Sequence, residues 1–149
     1  MSSTDRQSLK PLVYLTRIEK FCSAHRLNSR ALDVQTNSQT YGKCNAVHGH
    51  NYTAEITLKG TVDAITGMVL DIAVLNEIIA QTVMKSLDHK NIDEDVPYFR
   101  DNDIVSTAEN ISVYIWKVIA ERLPPNVTLD SIKLHETDKN VFVFRGEYA

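Results

Sequence analysis

The stretch that most constrains the fold runs from His48 to Lys59. From Asn51 to Lys59 (NYTAEITLK), Tyr52, Ala54, Ile56 and Leu58 alternate with Thr53, Glu55, Thr57 and Lys59. A period of two with one apolar side marks a strand of an antiparallel sheet with one face buried. His48 and His50 share the parity of the apolar side. A strand continuing back through them sends both imidazoles to the same face, at the rim of the core.

Other segments assort around this strand. Leu12 to Phe21 (LVYLTRIEKF) is rich in β-branched and aromatic residues and reads as a second strand. Leu27 to Tyr41 is polar without a sustained period and reads as a loop. Asp63 to Gly67 carries turn chemistry. Asp71 is placed to cap a helix running to about Leu87, with Ile72, Leu75, Ile79, Val83 and Leu87 as its buried stripe. Ser106-Thr107-Ala108-Glu109 fits a capping box opening a second helix, whose stripe is Ile111, Tyr114, Ile115, Val118 and Ile119. Pro124-Pro125 stops it. Leu129 to Thr137 and Val141 to Arg145 read as two strands joined by a hairpin at Asp138-Lys139-Asn140. The order ββ-α-α-ββ predicts an α+β fold, a four-stranded antiparallel sheet with two helices on one face. Residues 1–11 read as a flexible tail and 12–149 as one domain.

The chain of 149 residues carries a net charge of −3 with acids and bases interspersed, which gives no case for nucleic acid or an anionic membrane. No apolar run has the length of a membrane span, and the polar N-terminus lacks a signal-peptide core. Two cysteines, Cys22 and Cys44, suit reduced thiols in a cytoplasmic protein. The Asn-x-Ser/Thr matches at Asn51, Asn110 and Asn126 are then chance.

Several side chains could carry chemistry. His25 ends an earlier apolar run, and with His48 and His50 it supplies three imidazoles, leaving the open fourth position a catalytic zinc needs. The plainer reading is two loop histidines and one core histidine. Cys44 fits three roles: a fourth ligand closing a structural site, a base or nucleophile whose thiolate a nearby Zn²⁺ favours, or a small buried hydrophobe. Asp88 beside His89 can fix the imidazole tautomer, while a helix C-terminus explains the same residues through its dipole. Glu136 shares parity with Ile132 and Leu134; a carboxylate on that face needs a partner, which makes it a candidate anchor for an N–H-rich heterocycle, while the plainer reading is that strand pairing ends before Glu136 and its side chain is solvated. Glu109 reads as the capping-box partner, Thr107 as a first-turn residue.

Taken in order, these phrases resemble a known family. They are Ser23-Ala24-His25-Arg26-Leu27, Gly42-Lys43-Cys44-Asn45, His48-Gly49-His50-Asn51-Tyr52, Thr66-Gly67-Met68-Val69, Leu87-Asp88-His89-Lys90-Asn91, Asp95-Val96-Pro97-Tyr98-Phe99, Ser106-Thr107-Ala108-Glu109-Asn110 and His135-Glu136-Thr137-Asp138. Together they are similar to the 6-pyruvoyl-tetrahydropterin synthase family. The resemblance implies the tunnelling fold, in which three subunits close a barrel and two trimers stack into a homohexamer with sites between subunits. It implies a lyase of tetrahydrobiopterin biosynthesis that converts 7,8-dihydroneopterin triphosphate to 6-pyruvoyl-tetrahydropterin with loss of triphosphate. By position, His25, His48 and His50 would hold Zn²⁺, and Cys44 would be the general base. His89, oriented by Asp88, would move a second proton. Glu136 would anchor the pterin, with Thr107 and Glu109 helping to line the pocket.

One departure bears on the product. The animal enzymes have five residues between the cysteine and His-Gly-His; this chain has three, Asn45, Ala46 and Val47. Three is the spacing of the bacterial relative, 6-carboxy-tetrahydropterin synthase, which uses the same substrate. That enzyme and a non-catalytic zinc protein are the alternative readings.

Overall fold

A computed structural model describes residues 9–149. Most of the expected tail, residues 1–8, lies outside the described residues. The chain forms a five-stranded sheet in the order β3-β1-β2-β4-β5. Strands β1 (Leu12–His25) and β2 (His48–Thr61) are the long central pair. They run antiparallel in an unbroken register from Leu12↔Thr61 to His25↔His48. β4 (Val127–His135) pairs antiparallel with β2, and β5 (Val141–Phe144) with β4. The expected strands are all present. The fifth, β3 (Lys90–Asn91), joins β1 in parallel and is too short to carry a periodic signal. The sheet is open within the chain.

Alternation along β2 sorts its side chains as expected. Tyr52, Ala54, Ile56 and Leu58 are fully buried, while Thr53, Glu55, Thr57 and Lys59 lie half-exposed on the other face. Ile132 and Leu134 of β4 and Phe21 of β1 complete the inner surface, with Phe21 and Tyr52 stacked at 4.9 Å.

Two helices cover this inner face. The first, α2 (Ile72–Ile79), starts at Asp71, whose carboxylate accepts the Ala73 N–H. It continues through a π turn, Ala80–Met84, and a last turn, Lys85–Leu87. The Thr82 hydroxyl donates to the Ile78 carbonyl and the Ser86 hydroxyl to Thr82, back-bonding that accompanies the wider turn. Leu75, Ile79, Val83 and Leu87 are buried as expected; Ile72 is not, being 53% exposed at the uncovered end of the helix. The other, α5 (Ala108–Ala120), buries Ile111, Tyr114, Ile115 and Ile119. Its cap sits one residue later than the capping box predicts. Thr107 is the N-cap and accepts from the Asn110 N–H, which leaves Glu109 exposed and without the reciprocal role. Ser106 is turned inward instead and is fully buried.

The segment expected to be a loop contains a helix, α1 (Val34–Tyr41). Asp33 caps it through the Thr36 N–H. Its one buried residue is Asn37, whose side chain takes the Ser29 N–H and donates to the Ser29, Leu32 and Asp33 carbonyls. Backbone satisfaction by a polar side chain, rather than an apolar stripe, holds this helix, so periodicity could not reveal it. Two four-residue helices, α3 (Ile92–Asp95) and α4 (Pro97–Arg100), lie between β3 and α5. Among the described residues, no helix is long and apolar enough to cross a membrane.

Candidate metal centre

The β1–β2 ladder makes the centre. His25 lies opposite His48, and Ser23 opposite His50. Opposed residues of an antiparallel pair share a face, so His25, His48 and His50 point together into the inner side of the sheet. Their ring centroids are 4.6 Å (His25–His48), 5.2 Å (His25–His50) and 5.0 Å (His48–His50) apart. One nitrogen from each ring falls within 4.8 Å of the other two. Between the ligands, a Cβ on Gly49 would come within 3.2 Å of the Ser23 carbonyl oxygen, a close approach that favours glycine there.

Backbone carbonyls set two tautomers. His25 Nδ1 donates to the Ser106 carbonyl at 2.7 Å, and His48 Nδ1 to Ala46 at 2.8 Å. Each Nε2 is then the lone-pair nitrogen. An Nδ1–H held by a carbonyl is the usual outer support of a metal-binding imidazole. His25 is fully buried, yet its Nε2 has no hydrogen-bond partner among the described residues. A buried polar atom without a partner is costly, and a metal ion would satisfy this one. Burial, reinforced by the neighbouring His48 and His50, holds the His25 pKa below the usual imidazole value against the pull of the Ser106 bond. Burial also lowers His50, opposed by Glu136. Both shifts favour the neutral, metal-binding form. The residues present therefore fit a divalent cation with nitrogen preference.

The other expected site residues fall in three places. Glu136 follows the last residue of β4 and turns into the hairpin, its N–H donating to the Asn140 carbonyl. Its charge raises the pKa of His25, His50 and Tyr52, so its carboxylate lies within electrostatic reach of the centre. Cys44 sits in a 3₁₀ turn, Gly42–Asn45, that leads into His48; its sulfur is not part of the three-histidine cluster. Thr107 spends its hydroxyl on capping α5, and Glu109 is exposed one turn into that helix.

Asp88 and His89 lie elsewhere. One carboxylate oxygen of Asp88 accepts the Cys22 N–H at 3.0 Å and the other meets His89 Nδ1 at 2.9 Å. The Cys22 bond, aided by His89, lowers the Asp88 pKa. The His89 N–H donates to the Cys22 carbonyl, and its φ of 60° is left-handed. The pair is thereby clamped to the edge of β1. His89, 81% exposed, faces a cleft of about 570 Å³ lined by Lys20, Cys22, Asn51, Thr53 and Asp138, with none of the three histidines in its wall. One chain does not bring Asp88–His89 to its own metal centre.

Sequence reasoning missed the carbonyls of Ser106 and Ala46 because a backbone acceptor has no residue-type signal. The fold and this cluster define an α+β protein with a three-imidazole centre able to hold one metal ion. A family model described as 6-pyruvoyl tetrahydropterin synthase matches residues 14–147. A 6-pyruvoyl tetrahydrobiopterin synthase of Poecilia reticulata is 48% identical over 136 residues, covering 90% of each chain. That of Homo sapiens is 42% identical over 147 residues, covering 97% of this chain and 99% of its own. The solved 6-pyruvoyl tetrahydropterin synthase of Caenorhabditis elegans superposes with a TM-score of 0.86 at 38% identity, over 93% of this chain and 98% of that one. The chain belongs to the 6-pyruvoyl tetrahydropterin synthase family and is an enzyme of the lyase class.

Proposed function

We propose that the chain converts 7,8-dihydroneopterin triphosphate to 6-pyruvoyl-tetrahydropterin in tetrahydrobiopterin biosynthesis, with Zn²⁺ held by His25, His48 and His50. The observation that carries this reading is the buried, unpartnered Nε2 of His25 facing two further imidazoles, in a chain of this family. Bound there, the ion supplies Lewis-acid polarisation of the substrate's side-chain hydroxyls. Cys44 takes a proton from the substrate side chain as general base. His89, its tautomer held by Asp88, moves a second proton as the side chain rearranges and triphosphate departs; no external reductant is used. Glu136 receives the N–H groups of the pterin ring in a charge-assisted contact, and Thr107 and Glu109 line the same pocket.

Because Asp88–His89 faces a cleft whose wall holds none of the chain's own three histidines, the reading assigns a complete site to two subunits, each contributing one part. A homohexamer of two trimers, each closing its sheets into a barrel, accommodates this in the cytoplasm. It also covers the exposed outer-face residues Tyr14 and Ile18 of β1 and Val143 of β5, and removes open sheet edges.

The three-residue link from Cys44 to His48 favours a second reading, the 6-carboxy-tetrahydropterin reaction on the same substrate. Incubation with dihydroneopterin triphosphate and identification of products separates the two. The pyruvoyl product with free triphosphate is expected; acetaldehyde as a major product overturns the first reading.

A further inference from the structure

The thiol of Cys44 is carried on a four-residue 3₁₀ turn, Gly42–Asn45, which only Ala46 and Val47 separate from the ligand His48. The turn has no side-chain cap at its start; it follows directly on α1, whose closing Gly42 N–H donates to the Ser38 carbonyl, and at its end the Ala46 N–H donates to the Lys43 carbonyl at 3.2 Å. Cys44 and Asn45, half-buried within it, are also tied to the chain just beyond His25. The Cys44 carbonyl accepts the Leu27 N–H at 2.9 Å. The side-chain amide of Asn45 donates to the Leu27 carbonyl at 2.8 Å and to Asn28 Oδ1 at 3.2 Å, using both of its hydrogens. Asn28 Oδ1 also receives Arg26 Nη2 at 3.0 Å, which holds that acceptor in place.

We infer that Asn45 is the positioning residue for Cys44: its amide ties the thiol-bearing turn to residues 27 and 28, two and three positions past the ligand His25. The inference rests on the reading of Cys44 as the base. Leu27 is gripped on both its N–H and its C=O, so the turn is locked in register with the strand end that carries His25. This lock lets a short connection present a thiol at a fixed place beside the metal. Proton abstraction depends steeply on such placement, a misplacement of about 1 Å costing about 10²-fold. The bond that fixes the His48 tautomer runs from its ring to the Ala46 backbone and does not involve the Asn45 side chain.

The test is a double-mutant cycle on the zinc-loaded enzyme with the triphosphate substrate, reading kcat, KM and zinc per chain. Asn45→Ala is expected to lower kcat about 10²-fold, with KM and zinc content little changed. In a Cys44→Ala background, adding Asn45→Ala is expected to change the residual rate no further. An equal fractional loss in both backgrounds, loss of zinc from Asn45→Ala, or a wild-type kcat in that variant overturns the inference. If Asn45→Ala yields no folded protein, Asn28→Ala takes its place. It removes one acceptor and must give a smaller, Cys44-dependent loss of kcat; an unchanged kcat overturns the proposal equally. Wild-type turnover by Cys44→Ala alone would instead sink the assignment of the base. An inactive Cys44→Ala beside a fully active Asn45→Ala sinks only the positioning role.

Discussion

His25 and His48 stand directly opposite one another at the end of the β1–β2 ladder, ring centroids 4.6 Å apart. Register alone produces this meeting. A slip of one residue would turn His48, His50 and the whole Tyr52-Ala54-Ile56-Leu58 row to the outer face. The same alternation that buries the core therefore aims the imidazoles, and a chain that has packed its core has also built its metal centre.

Removing one imidazole tests the centre without disturbing that core. His48 is only half-buried, and its side chain is outside the main apolar cluster. His48→Ala is expected to fold while losing most of its zinc. The fall in affinity should exceed the about 10–100-fold that follows loss of a mere outer-shell partner. Metal analysis of the purified variant checks it, and full zinc retention would refute the ligand assignment.

Cys44 divides a catalytic from a structural site. Its sulfur stands apart from the histidine cluster, so Cys44→Ala should keep zinc at the wild-type level. Turnover should fall by about 10²–10⁴-fold, the usual contribution of a positioned base. Metal analysis and product formation on the same sample decide the matter: zinc lost together with activity would make Cys44 a ligand.

The residues that pack by periodicity were legible. The β2 alternation, the stripe of α2 from Leu75 to Leu87 and that of α5 all follow from apolar spacing, and the parity of His48 and His50 could be read off the same pattern. His25 entered by proximity to a strand end; its facing partner followed only from the register. What sequence did not show was held by backbone groups. Asn37 organises α1 through carbonyls and an N–H that any residue possesses. The Ser106 carbonyl orients His25 from 81 residues away, so nothing local announces it. The shift of the α5 cap from Ser106 to Thr107 has the same origin, because Ser106 is occupied with His25 and Arg26. The two-bond clamp on Asp88–His89 likewise depends on the Cys22 backbone, not on its thiol.

Lowered imidazole pKa values give the metal-free protein a defined acid response. In the unfolded chain a histidine takes up a proton near 6.5, whereas folded His25 and His50 resist it. Below that pH the unfolded state binds more protons, so stability falls as pH drops from about 7 toward 5. The lowered carboxylates, Asp88 among them, act in a separate window below their ordinary value of 3.8. Thermal melts of zinc-stripped protein at pH 7 and pH 5 should show the loss, and added zinc should raise the melting temperature more at pH 7 than at pH 5. A melting temperature that does not change over this range would contradict the burial of neutral imidazoles.

Asp88→Asn tests the second proton-transfer group by a tautomer argument. The carboxylate accepts two hydrogen bonds, from the Cys22 N–H and from His89 Nδ1. An amide of the same shape has one acceptor oxygen. If that oxygen keeps the Cys22 bond, the amide NH₂ faces His89 Nδ1 and forces the ring into the other tautomer, with its proton on Nε2. The nitrogen that faces the cleft then carries a proton where it formerly offered a lone pair. Turnover is expected to fall by about 10²–10⁴-fold, while zinc content stays at the wild-type level because the pair lies outside the histidine cluster. Mixing the variant with His48→Ala adds a sharper readout. If sites are shared between subunits, hybrid oligomers will combine an intact metal centre from one chain with an intact Asp88–His89 from the other. Activity recovered after subunit exchange of two inactive variants is the expected result, and none recovered from demonstrably mixed oligomers would confine each site to one chain.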